Sequence, residues 1–146
     1  MPEATQLRRF KSLAVLSVMI GGLLSAPAYA GAETMGVWRN PKNSVHVELR
    51  SCGAGTCGYV VWANANAQAD ARRGGTANLI GLQLLRDFTP ENPRKWRGKV
   101  FVPDLNRTFS GTAEFLDATT LKAKGCLIGG FLCKSQIWRR VDSDAA

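Results

Sequence analysis

The stretch Arg50-Ser51-Cys52-Gly53-Ala54-Gly55-Thr56-Cys57-Gly58-Tyr59-Val60-Val61-Trp62 constrains the chain more than any other. Strand-forming residues flank a tight Gly-rich turn, and a cysteine stands at each shoulder. The pattern predicts a hairpin with a sulfur staple, and so a small β protein rather than a helical one.

The N-terminus supplies a compartment in which such a staple forms. Arg8, Arg9 and Lys11 make a basic start, and Ser12 to Ser25 is an apolar run of fourteen residues. A membrane-spanning helix needs about 20. Ala28-Tyr29-Ala30 then offers a cleavage site, so residues 1–30 are expected to be a secretory signal peptide and 31–146 a single domain. Phe10-Lys11 after the arginine pair fits twin-arginine export poorly, which favours the general pathway. No cysteine stands at the cleavage site to carry a lipid anchor, and no second long apolar run follows. The expected location is periplasmic or secreted, with no membrane span.

Cys52, Cys57, Cys126 and Cys133 all lie in the mature part. An even count in an exported chain argues for disulfides. Three pairings are open; local geometry favours Cys52–Cys57 and Cys126–Cys133, because each pair brackets a turn between strand-like runs. Zinc is disfavoured by the six-residue gap of the second pair. Neither pair is C-x-x-C, so a thioredoxin-type redox site is not indicated.

The rest of the chain reads as short strands. Gly36 to Arg39 is one, and Asn40 to Asn43 a turn. Ser44 to Arg50 alternates, with Val45, Val47 and Leu49 on one face. Cys57 to Ala63 carries Tyr59-Val60-Val61-Trp62, which suggests a strand covered on both faces. Asn64 to Asn78 has no apolar stripe and predicts a short exposed helix ended by Gly74-Gly75, then a loop. A strand is expected near Gly81–Arg86 and a Pro-containing turn over Thr89–Arg94. Strands follow over Lys95–Val102, Arg107–Phe115, Thr119–Cys126 and Cys133–Val141. Turns are expected at Pro103–Asn106 and Leu116–Ala118, and a frayed tail over Ser143–Ala146.

About eight strands in sequence order signal a sandwich or an up-and-down barrel. Closure removes exposed edges, so an all-β antiparallel barrel with one short helix or loop insertion is the expected fold. Gly98, Gly111, Ala113, Ala123 and Gly125 fall on inward faces. They serve either to let coiled strands bend or to leave room for a ligand.

Two resemblances follow from these motifs. Gly36-Val37-Trp38, Ser51-Cys52-Gly53, Cys57-Gly58-Tyr59-Val60-Val61-Trp62, Trp96-Arg97-Gly98-Lys99-Val100-Phe101-Val102-Pro103 and Cys133-Lys134-Ser135-Gln136-Ile137-Trp138 resemble, in this order, the exported bacterial family called domain of unknown function 2147. That resemblance implies no established activity and no site. The ends of the chain also look like those of lipocalin-like barrels, which open on Gly-x-Trp and finish on an arginine packed over that tryptophan. The resemblance implies that Trp38 meets Arg139 or Arg140 at a closure worth about 1–2 kcal/mol.

Catalytic patterns are sparse. Gly53 to Gly58 spells G-x-G-x-x-G, but a strand follows where a phosphate site needs a helix. His46 is the single histidine, which gives a triad or histidine metal site little to build on. Glu48, Asp87, Asp104, Glu114 and Asp117 show no diagnostic spacing. Trp62 and Trp96 are candidates for lining a pocket or a sugar-stacking face. Lys95, Arg97 and Lys99, with Lys122 and Lys124 on a neighbouring strand, are candidates for a cationic face. The mature chain keeps 16 basic and 10 acidic residues, a net charge of +6 spread without blocks.

The expectation is a non-catalytic envelope protein that binds a small apolar or amphiphilic ligand in the barrel mouth. The alternative is a basic module for anionic envelope polymers. No cofactor, metal or nucleic-acid partner is expected.

Overall fold

The computed structural model describes residues 34–128 and 131–141. The expected signal peptide, Gly129-Gly130 and the expected tail at Ser143–Ala146 lie outside the described residues. The eight strands are β1 (Gly36–Arg39), β2 (Val45–Cys52), β3 (Gly55–Ala63), β4 (Gln83–Asn92), β5 (Lys95–Val102), β6 (Arg107–Asp117), β7 (Thr120–Ile128) and β8 (Phe131–Arg140). One helix, α1 (Ala65–Arg73), follows β3, and a 3-10 turn (Pro103–Leu105) joins β5 to β6. Each strand pairs antiparallel with the next, and β8 pairs with β1, which closes the barrel. The chain is thus the up-and-down antiparallel barrel that a run of strands in sequence order suggested.

Alternation of direction gives the barrel two ends. The β2–β3 hairpin with the Cys52–Cys57 disulfide lies at one end, together with the β4–β5 and β6–β7 turns. The β7–β8 hairpin, bridged by Cys126–Cys133, lies at the other, with α1 and the 3-10 turn. We call the first end the floor and the second the mouth. Loop entropy makes each bridge worth roughly 2 kcal/mol.

The core forms where inward faces converge. Trp38, Val47 and Val60 are the largest fully buried side chains. Burying such a side chain contributes about 1.5–3 kcal/mol. Trp38 also donates from Nε1 to the Thr34 carbonyl at 3.2 Å, so its polar atom is satisfied inside the floor.

Three local readings need correction. First, Tyr59 to Trp62 is not covered on both faces. β2 and β3 slip by one residue, so that His46 faces Trp62 while Val47 faces Val60. That bulge places Val61 and Trp62 outward in succession, 37% and 43% exposed. Second, residues 89–92 are strand rather than turn. Asp87 takes a left-handed φ of 52°, the register shifts there, and β4 continues through Pro90, opposite Trp96, to Asn92. The turn is Pro93-Arg94 alone. Third, α1 is not fully exposed. The Asn64 side chain caps its start by accepting from the Ala67 amide at 2.8 Å. Ala71 is completely buried in the core cluster that also holds Ala63 and Leu79, and the helix end sits on the 3-10 turn. A Cβ on Gly74 would lie 2.3 Å from the Asp104 carbonyl oxygen, so only glycine fits that approach. Thr76 fastens the same contact by donating to the Pro103 carbonyl at 3.1 Å.

Candidate functional site

The inward faces do not fill the barrel. A cavity of about 340 Å³ runs from the Trp38 floor to Leu105, Leu127 and Leu132 at the mouth. Its volume falls within the range of small-molecule sites. Leu84, Leu85, Val100, Phe109 and Leu121 supply apolar walls.

The inward glycines separate into two kinds. A Cβ on Gly98 would meet the Phe88 ring at 2.4 Å, and one on Gly111 would meet Val100 at 2.4 Å. These two positions are small because neighbouring side chains lie over them. Gly125 is different: a Cβ there meets no atom within 4 Å. It lines the cavity and borders open space. Close packing accounts for the first pair, and room in the lumen for the third.

The β7–β8 register decides what else faces that space. Cys126 lies opposite Cys133, Gly125 opposite Lys134, Ala123 opposite Gln136 and Leu121 opposite Trp138. Leu121, Ala123 and Gly125 look inward, so Lys134, Gln136 and Trp138 do too, and all six line the cavity. Lys134 and Gln136 had not been singled out from sequence. The disulfide was the available signal: Cys126 and Cys133 share the outer face, so the next residue of β8 must turn in.

The tryptophans chosen from sequence do not share a pocket. Trp62 stands outside the barrel, its ring centre 4.6 Å from that of His46. Trp96 is turned into the interior, by a gap of about 10 Å³ between Leu49, Phe88 and Phe115. Its Nε1, like that of Trp138, is buried without a hydrogen-bond partner among the described residues.

At the floor, the Arg140 guanidinium lies over the Trp38 ring, 5.0 Å from its centre. Arg139 takes the other face of β8 and bonds the Thr120 hydroxyl. The structure therefore places only Arg140 of the pair on the ring.

Lys95, Arg97 and Lys99 lie beside Lys122 and Lys124 along one outer cleft of about 710 Å³ across β5, β6 and β7. Two carboxylates are set among them. Glu91 pairs with Lys95 at 3.1 Å and also with Arg97. Hydrogen bonding from Lys95, with the Arg97 charge, holds Glu91 below the usual carboxylate range. Glu114 stands between Lys95 and Lys122 in register. Lys99 donates to the Ser110 hydroxyl at 3.1 Å.

His46 sits outside, with Nε2 2.7 Å from Asn43 Oδ1. Partial burial lowers its pKa from 6.5, and the Arg39 charge lowers it further. The acids are dispersed: Glu48 pairs with Arg50, Asp70 with Arg73, and Asp117 caps the β6–β7 turn at Thr119. Among the described residues no three of His, Cys, Asp and Glu gather at a metal-binding spacing. No helix among them is long and apolar enough to cross a membrane.

Comparison with known proteins agrees with this geometry. The family described as "Uncharacterized protein conserved in bacteria (DUF2147)" matches residues 36–140. No curated protein matches the chain. Among solved structures the chain is similar to one titled "Protein HP1028 from the human pathogen Helicobacter pylori belongs to the lipocalin family". The TM-score is 0.59 at 14% identity, over 75% of this chain and 84% of that one. At such identity the likeness speaks for the fold.

Proposed function

We propose that this chain, which belongs to the family of uncharacterized proteins conserved in bacteria (DUF2147), is a non-catalytic carrier that holds a small apolar or amphiphilic ligand inside its barrel. The family description assigns no activity, so the reading rests on the site. One observation carries it: the lumen keeps about 340 Å³ of largely apolar space, bordered by a glycine that nothing covers. A barrel selected only for stability would fill that volume, because each unfilled cavity costs packing energy. The two disulfides suit an exported protein, and we place the carrier in the periplasm or outside the cell.

A thermal-shift and native mass-spectrometry screen with lipids and short amphiphiles tests the reading. Binding of one molecule per chain, with a raised Tm, is expected. An unshifted Tm and ligand-free masses across the set would refute it.

A second reading rests on the outer cleft, where five cations line one surface. There the protein would grip an anionic envelope polymer. Lys95→Glu with Arg97→Glu and Lys99→Glu should then abolish retention on lipopolysaccharide or acidic polysaccharide. Glu91 and Glu114 already offset part of this charge, which makes it the weaker site.

A further inference from the structure

The polarity inside the barrel is uneven, and it says what kind of ligand fits. Among the cavity-lining side chains that the strand register turns inward, the charged and amide groups come from one strand, β8: Lys134 and Gln136. Both are exposed, and Lys134 forms no ion pair with an acid among the described residues. The neighbours across the register are the two smallest side chains on that wall, Gly125 beside Lys134 and Ala123 beside Gln136. The remaining inward walls are mainly leucine, valine and phenylalanine, with the Trp38 and Trp138 rings among them.

Resting on the carrier reading, we propose that β7 and β8 form a head-group niche and that the ligand is a single-chain anionic amphiphile. Its carboxylate, or another small oxyanion, meets the Lys134 ammonium and the Gln136 amide. The space left by Gly125 and Ala123 admits the head, and the alkyl chain lies against Leu84, Leu85 and Val100. A charge-assisted hydrogen bond is roughly twice as strong as a neutral one, so Lys134 discriminates acid from alcohol. At about 340 Å³ the cavity lies at the small end of ligand sites, which suits a single short chain, on the order of ten carbons.

The test uses the purified, oxidised protein and three probes of equal length: decanoate, 1-decanol and decyl phosphate. Calorimetric titration should show decanoate and the phosphate each binding at least about tenfold more tightly than the alcohol. Lys134→Met should bring acid and alcohol within about twofold of each other, while Lys134→Arg retains the preference. Gln136→Leu should weaken acid binding by a few-fold and leave alcohol binding in place. Circular dichroism and thermal melting confirm that each variant folds. Equal affinity for acid and alcohol in the unmodified protein overturns the niche, as does an acid preference that survives Lys134→Met. Failure of all three probes to bind instead overturns the carrier reading.

Discussion

Arg140 holds its guanidinium carbon 5.0 Å above the centre of the Trp38 ring, so the last strand covers the first at the barrel floor. β1 and β8 share two residue pairs, against eight between β7 and β8. Val141 also donates to the Val37 carbonyl at 2.8 Å, and the ring contact adds to this short ladder. Arg140 Nε also donates to the Ala118 carbonyl at 3.0 Å, which ties the β6–β7 turn to the same place.

Arg140→Met keeps an apolar arm but removes the cation. The expected loss is about 1–2 kcal/mol, measured by urea unfolding. Arg139→Met gives up a hydrogen bond to Thr120 on the outer face and should lose no more than about 1 kcal/mol. Equal losses would show that the ring contact has no special weight.

Gly125 and Gly98 should respond oppositely to the same enlargement. Gly125→Leu enters open space, so it should lower ligand affinity at least about tenfold with little loss of stability. Gly98→Val drives a methyl into the Phe88 ring and should destabilise by about 1–3 kcal/mol. Melting curves beside binding titrations separate the two effects.

The two disulfides should matter equally for stability and unequally for binding. Replacing Cys52 and Cys57 together by serine should cost roughly 2 kcal/mol, and the same change at Cys126 and Cys133 about as much. The second pair closes the hairpin that carries Lys134 at the mouth, so only its removal should also weaken decanoate binding. Equal affinity in both double variants would sever the link between hairpin and site.

His46 provides a pH test free of overlap, because the chain has one histidine. Its folded pKa lies below 6.5, first from burial and then from the Arg39 charge. Well above pH 6.5 the ring is neutral in both states and has no effect on the unfolding equilibrium. As pH falls below 6.5, the unfolded chain takes up the proton first. Stability then declines until the folded midpoint is passed. Proton NMR should place the ring's midpoint below 6.5, and His46→Gln should flatten the decline across that window. A midpoint at or above 6.5 would contradict the environment described.

Much of this was legible before any coordinates. Alternation over 95–102 and 107–115 places Val100 and Ala113 inside, and the cysteine spacings bracket two hairpins. The misses have physical causes that a linear pattern does not hold. Trp62 shares a face with Val60 by simple alternation, but the β2–β3 bulge inserts Val61 and turns Trp62 outward. Ala71 looks like one more small residue on a polar helix; its burial comes from the core cluster it joins with Ala63 and Leu79, residues brought together only by the fold. Lys134 and Gln136 read as ordinary surface positions until the outward cysteine pair sets the phase of β8. Their inward placement follows from a register, which only the pairing of two strands defines.

The most direct test of the carrier reading is an amide-proton chemical-shift map of the isotope-labelled protein titrated with decanoate. Shifts clustered on Leu121, Ala123, Gly125, Lys134 and Gln136 would place the ligand in the lumen against β7 and β8, as proposed. Shifts confined to Lys95, Arg97, Lys99 and Lys122 on the outer cleft, or none at saturating decanoate, would contradict it.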